Sequence, residues 1–150
     1  MSVADNQCEL CRDMSGMVGG DVLWGDALCR VLLVADADFP GYCRVVWNDH
    51  ENEMTDLTGS DRRHLMSVVF AVEAAMRTCL DPDKINLASL GNQVPHVHWH
   101  VIPRWRDDSH FPQSIWGQPQ RAPGPRAAVA VAALRAALIQ ALAEEQGGEA

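Results

Sequence analysis

No apolar run in the 150-residue chain reaches the length needed to cross a bilayer. The opening Met1-Ser2-Val3-Ala4-Asp5-Asn6 lacks the basic and apolar regions of a secretory leader, so a cytoplasmic location is expected. Positive charge is scarce: 12 basic side chains stand against 20 acidic ones, a formal net charge of −8. That field argues against non-specific binding to nucleic acid or to an anionic membrane, since both require the opposite sign. It leaves room for a phosphate group held by local donors, and Arg44, Arg104 and Arg106 are candidates. Internal repeats and low-complexity tracts are also missing, and the length suits one domain with a genuine core. Five cysteines in a chain expected to be cytosolic do not suggest a disulfide framework. Cys29, Cys43 and Cys79 stand alone in apolar surroundings and read as small buried hydrophobes.

With 47% apolar and 21% charged residues, the chain is otherwise an ordinary globule, and the period of its apolar residues organises it. Residues 8–15 read as a short helix, broken by Gly16 to Gly20. Asp21 to Trp24 and Leu28 to Ala35 read as strands joined at Gly25-Asp26, and Tyr42 to Trp47 as a third. Between Thr58 and Leu80 the apolar residues fall at three- and four-residue steps. That is a helix with Thr58 or Ser60 as N-cap and Asp81-Pro82 as its stop. Ile85 to Leu90 is a fourth strand and Val97 to Ile102 a fifth. Proline-punctuated sequence follows, and an Ala- and Leu-rich helix is expected from Pro125 to about Glu145. The expected class is α+β: an antiparallel sheet of about five strands, a long helix packed on it, and a C-terminal helix.

The most informative stretch is His96-Val97-His98-Trp99-His100-Val101-Ile102. A strand has a period of two, so its three histidines share one face while Val97, Trp99 and Val101 share the other. Imidazole titrates nearest neutrality among the side chains, so such a row can attack, move protons or bind metal. A second constellation is Cys8-Glu9-Leu10-Cys11, whose spacing lets two thiolates grip one ion or form a redox pair. His50 and His96 could complete a tetrahedral zinc site. His64 and His110 read as surface histidines.

The stretch from His96 to Ile102 resembles the signature of the histidine triad (HIT) family, in which histidines alternate with apolar residues. The resemblance covers roughly residues 8–106 and leaves the arm and last helix outside it. The chain reads as one domain with a HIT-like core over 1–106, an irregular arm over 107–124, and a C-terminal helix and frayed tail over 125–150. The sequence around Phe111-Pro112-Gln113-Ser114-Ile115-Trp116 resembles a proteobacterial subgroup labelled diadenosine-tetraphosphate-hydrolase-like. The family implies a nucleotide substrate, His98 as nucleophile on an α-phosphate, and His100 as donor to its oxygens. The resemblance to some of its branches implies structural zinc on Cys8, Cys11, His50 and His96, and members are commonly homodimers, for which the last helix offers an apolar stripe. The same stripe would suit packing within the chain.

Two departures from the family pattern stand out. Gly91-Asn92-Gln93-Val94 replaces Gly-Gln-Ser/Thr-Val, so the hydroxyl that protonates a leaving amine is missing. Asn92 and Gln93 remain as amides for a phosphate, or as an ordinary polar turn. Tyr42 stands where the family carries a fourth histidine, and Arg44 on the same strand face could supply the phosphate contact. Asp36, or the neighbouring Asp38, takes the place of the acid that accepts from ribose hydroxyls; either could be a turn residue. The first reading is a nucleotide hydrolase or nucleotidyl transferase working through nucleotidyl-His98. A zinc-stabilised nucleotide-binding protein with little turnover is the alternative, and a catalytic metal on the three histidines a third.

Overall fold

The computed structural model describes residues 7–12 and 21–148. The expected helix end after Arg12 and the glycine break at Gly16 to Gly20 lie outside the described residues. A short helix α1 (Glu9–Arg12) precedes strands β1 (Asp21–Gly25), β2 (Cys29–Leu33) and β3 (Cys43–Trp47). Helix α2 (Gly59–Leu80), strands β4 (Lys84–Ala88) and β5 (His98–Arg104), and helix α3 (Val131–Gly147) follow. The five strands form one sheet in the order β1-β2-β3-β5-β4, antiparallel throughout. The α+β expectation therefore holds.

Alternation along the strands divides the sheet into two faces. Val31, Leu33, Cys43, Val45, Trp47 and Val101 join Leu65, Val68, Val72 and Met76 of α2 in the main core. Leu134, Leu138 and Leu142 of α3 belong to the same core, so the stripe of the last helix is spent within the chain. Cys29 and Cys43 are fully buried there and Cys79 packs at its edge, as small hydrophobes do. The opposite face carries Leu32, Arg44, Val46, His98 and His100, with no long helix over it among the described residues. Cross-strand register sets Leu32 beside Arg44 and Arg44 beside His100, and Val46 beside His98. A row that mixes imidazoles, a guanidinium and aliphatics thus runs across the sheet.

Local chemistry fixes the ends of α2. The Thr58 hydroxyl accepts from the Asp61 amide at 3.2 Å, a cap worth about 1 kcal/mol. Asp81 closes the helix in the left-handed region, at φ 46°, immediately before Pro82. In the turn after β1, Asp26 Oδ1 accepts from the amides of Leu28 and Cys29, both at 2.8 Å. Its Oδ2 meets His64 Nε2 at 2.7 Å, so His64 ties α2 to this turn and is half-buried, contrary to its surface reading. His110 is also half-buried, bonded to Ser109 Oγ and tilted against Phe39.

The last helix starts at Val131, later than the expected Pro125. Arg126 is drawn aside instead: its guanidinium lies 4.5 Å from the centre of the Trp105 ring and is bonded to Asp107. That anchorage holds residues 126–130 out of helical geometry. The arm from residue 105 to 124 lacks regular structure yet is densely bonded. Arg104 Nε and Nη2 grip Asp108 at 2.8 and 3.0 Å, while Nη2 also donates to Gln113 O and Nη1 to Asn86. The Asp108 carboxylate accepts in turn from the amides of Trp105, His110 and Phe111.

Candidate active site and metal cluster

Two clusters sit on the sheet face opposite the main core, joined through β5. His98 is buried, and its Nδ1–H donates to the carbonyl of His96 at 2.6 Å. A carbonyl can only accept, so the proton is on Nδ1 and the Nε2 lone pair is left free. His100 stands next along the face, its ring centre 4.9 Å from that of His98 and steeply inclined to it. Its Nδ1 meets the Tyr42 hydroxyl at 2.5 Å. Burial, then the neighbouring His98 and Arg44, push the His100 ring down to about 3, so it is neutral at physiological pH. Burial likewise holds His98 below the ordinary histidine value.

These rings line a cavity of about 550 Å³. Its floor is His98, His100 and Arg44; one wall is the Leu90 to Val94 turn, including Asn92 and Gln93. Glu9 and Leu10 of α1 form another side, and Ser114 and Trp116 of the arm close the remaining one. The Trp116 ring stands edge-on to His100 with centres 4.9 Å apart. The buried Arg44 Nε has no hydrogen-bond partner among the described residues, although Arg44 opposes His100 directly in the ladder.

Sequence-selected residues do not all converge on this cavity. Asp36 is not among its lining residues; its Oδ1 accepts from the amides of Asp38 and Phe39 in a tight turn. Arg104, an expected phosphate donor, is 2% exposed and committed to Asp108. Glu9, Leu10 and Ser114 were not singled out as pocket residues. The signal for the first two was their position inside the Cys-x-x-Cys loop, which fixes where that loop must sit once His96 is on the triad strand.

The second cluster gathers Cys8, Cys11, His50 and His96, one ligand atom from each lying within 4.8 Å of the others. Cys8 Sγ and Cys11 Sγ are each 3.4 Å from His96 Nδ1, and Cys11 Sγ is 3.2 Å from His50 Nδ1. A tetrahedron with Zn–S of about 2.3 Å and Zn–N of about 2.0–2.1 Å has S···N edges of roughly 3.5 Å, close to these separations. His96 Nε2–H donates to Trp47 O at 2.6 Å, which leaves the Nδ1 lone pair facing the two sulfurs. The donor set could hold a metal ion with all four positions filled by protein. The α1 loop is further pinned by Arg30, whose Nη2 donates to Leu10 O at 2.6 Å.

No helix among the described residues is long and apolar enough to cross a membrane. Comparison with known proteins places this geometry. A histidine triad protein from Bradyrhizobium japonicum is 30% identical, with a TM-score of 0.65, covering 81% of this chain and 89% of that one. One from Marinobacter aquaeolei is 29% identical, with a TM-score of 0.66 over 85% and 91% of the two chains. A zinc-bound histidine triad family protein from Mycobacterium smegmatis shares the fold, with a TM-score of 0.65 and 24% identity over 91% and 96%. An uncharacterized HIT-like protein of Saccharolobus solfataricus is 24% identical over 106 residues, 67% of this chain and 76% of that protein. The HIT domain profile matches residues 16–107, which contain His98 and His100 of β5 and His96 just ahead of it. The chain belongs to the HIT domain family.

Proposed function

We propose that the protein is a nucleotide hydrolase, or nucleotidyl transferase, that attacks the α-phosphate of a nucleotide conjugate through His98. The observation carrying this reading is the 2.6 Å bond from His98 Nδ1 to the His96 carbonyl, which leaves an unprotonated Nε2 at the cavity floor. Nε2 forms a bond to phosphorus as the bond to the leaving group breaks, giving a nucleotidyl-histidine. Water then cleaves the P–N bond and releases the nucleoside monophosphate. Two displacements at one centre let the same donors stabilise both transition states.

Those donors are His100, Arg44, Asn92 and Gln93. Arg44 supplies charge where a buried guanidinium nitrogen lacks a partner, and the two amides reach from the opposite wall. Donors aimed at oxygens that gain charge are worth roughly 2.7–4 kcal/mol each in comparable anion holes. Asp36 lies off the lined cavity with Oδ1 engaged by the turn amides, so a ribose would meet its Oδ2 only by extending past the cavity. Histidine at position 100 favours water as the second acceptor, hence hydrolysis.

Cys8, Cys11, His50 and His96 would hold zinc, supported by the S···N separations and the His96 tautomer. Bound there, the ion supplies cross-linking alone, since no open position remains for water. It fixes Glu9 and Leu10 as a wall of the cavity. A homodimer, as the family implies, would use surface other than the buried stripe of α3.

The test is release of AMP from diadenosine polyphosphates, an adenosine phosphoramidate and adenylyl sulfate by wild type and His98→Ala. The expected result is release from at least one compound, abolished in His98→Ala while AMP binding persists. AMP binding without release from any of them would replace this reading with that of a binding protein.

A further inference from the structure

Tyr42 is buried, 3% exposed, in a small apolar cluster with Phe39 and Ile102, against which Val34 and Ile115 pack. Its placement is strictly built. Gly41 precedes it at φ +94°, and a Cβ there would lie 2.3 Å from Leu80 Cδ1, so only glycine lets the chain turn this close to α2. The Tyr42 amide donates to Phe39 O at 3.0 Å, and its carbonyl accepts from Val34 N at 2.8 Å. The phenol hydroxyl thus meets His100 Nδ1, with the Arg44 guanidinium as a second, donating neighbour.

A neutral imidazole carries its proton on one nitrogen, and which one decides whether His100 can serve a phosphate. The phenol proton has a single acceptor among the described residues, Nδ1 of His100. Arg44, whose Cζ lies 5.9 Å from the Tyr42 ring centre, offers only donors. Were the ring proton on Nδ1, two protons would compete for the Tyr42–His100 line, and the phenol proton would be buried without an acceptor. A buried donor left without an acceptor is strongly disfavoured. The low-cost arrangement has Tyr42 O–H donating to Nδ1 and the ring proton on Nε2, the nitrogen left for the cavity.

We propose that Tyr42 is a positioning residue that locks His100 as a neutral Nε2–H donor toward the phosphate oxygens. This rests on the reading of the cavity as a phosphate-transfer site, but the proton arrangement exists in the resting protein and is measured without turnover. The pair complements His98, which its backbone carbonyl locks in the opposite tautomer. One strand face thus carries a nucleophile and a donor side by side, each with its proton set by a different partner.

The experiment combines ring-nitrogen NMR of the full-length, zinc-supplemented protein labelled with 15N-histidine and hydrolysis assays with diadenosine tetraphosphate. His100 should carry its proton on Nε2, with a slowly exchanging Tyr42 hydroxyl proton coupled to Nδ1 that is lost in Tyr42→Phe. A ring proton on Nδ1 in wild type overturns the proposal whatever the activity. In the assay, Tyr42→Phe should lower kcat roughly tenfold with KM within about twofold, as loss of a donor used mainly in the transition state does. In a His100→Gln background the same change should have no effect, because an amide has no tautomer to lock. A full Tyr42 effect in that background would assign Tyr42 to packing and overturn the positioning role. With no turnover of diadenosine tetraphosphate, the proton on Nε2 still upholds the lock, and the failure falls on the enzymatic reading.

Discussion

Arg104 grips Asp108 with two parallel bonds, Nε to Oδ2 at 2.8 Å and Nη2 to Oδ1 at 3.0 Å, with both side chains at most 2% exposed. The pair roots the arm that carries Ser114 and Trp116 to the cavity. Arg104 lies 5.6 Å from the ring centres of both Phe39 and Phe111. The guanidinium holds Asp108 well below the ordinary carboxylate range despite burial, at about 2, aided by three amide donors. Asp108→Asn should therefore destabilise the fold by about 3–5 kcal/mol, since it leaves a buried guanidinium uncompensated. Urea unfolding at neutral pH checks this; a loss under about 1 kcal/mol would mean the arm is held by other contacts.

Trp116 should matter to substrate and hardly to stability. Its side chain is half exposed yet forms a side of the cavity against His100. Trp116→Ala is expected to leave the unfolding midpoint near wild type and to raise KM several-fold, as loss of an aromatic contact worth roughly 1 kcal/mol does. An unchanged KM for every adenylylated substrate tested would place Trp116 outside the bound complex.

Metal analysis of protein purified without chelators should give equimolar zinc, lost in Cys11→Ser. Prolonged chelation should lower the melting temperature, because ligand binding to the native state alone is folding free energy. The same treatment should loosen Leu10, which packs on Leu32 and Val46, and so raise hydrogen exchange in α1. Protein that carries no metal and is indifferent to chelators would assign the cluster to a reduced thiol pair.

Much of the site was legible because a period of two on a strand is unambiguous, and the structure sets His98 and His100 side by side as that period requires. Cys8 and Cys11 meet His50 and His96, as the Cys-x-x-Cys spacing together with the family resemblance implied. Less legible were the roles of arginines. Arg104 and Arg44 are both strand residues near the triad, and only packing decides that one is consumed by Asp108 while the other faces the cavity. The start of α3 was misjudged for the same kind of reason. Local propensity from Pro125 onward is helical, but the Arg126 contacts with Trp105 and Asp107 override it. The Tyr42–His100 bond joins residues far apart in sequence, and no local pattern announces it.

Stability should fall with acid in a window set by the buried histidines. The His100 value drops from the ordinary 6.5 to about 3 on folding, so below about 6.5 the unfolded chain binds more protons than the native one. The contribution is complete above the unfolded value and is lost progressively as pH falls toward 3. Urea midpoints of wild type and His100→Gln compared at pH 7.5 and 5.0 check the sign. Wild type should lose more stability between these pH values; equal losses would mean that His100 is solvated.

Catalysis as proposed requires a covalent bond from phosphorus to His98. Its most direct measurement is intact mass after rapid acid quench of protein mixed with diadenosine tetraphosphate, adenosine phosphoramidate or adenylyl sulfate. The expected result is a transient adduct of adenylyl mass on wild type, mapped to His98 and missing in His98→Ala. AMP formation at full rate with no adduct at any quench time, or an adduct that survives in His98→Ala, would contradict it.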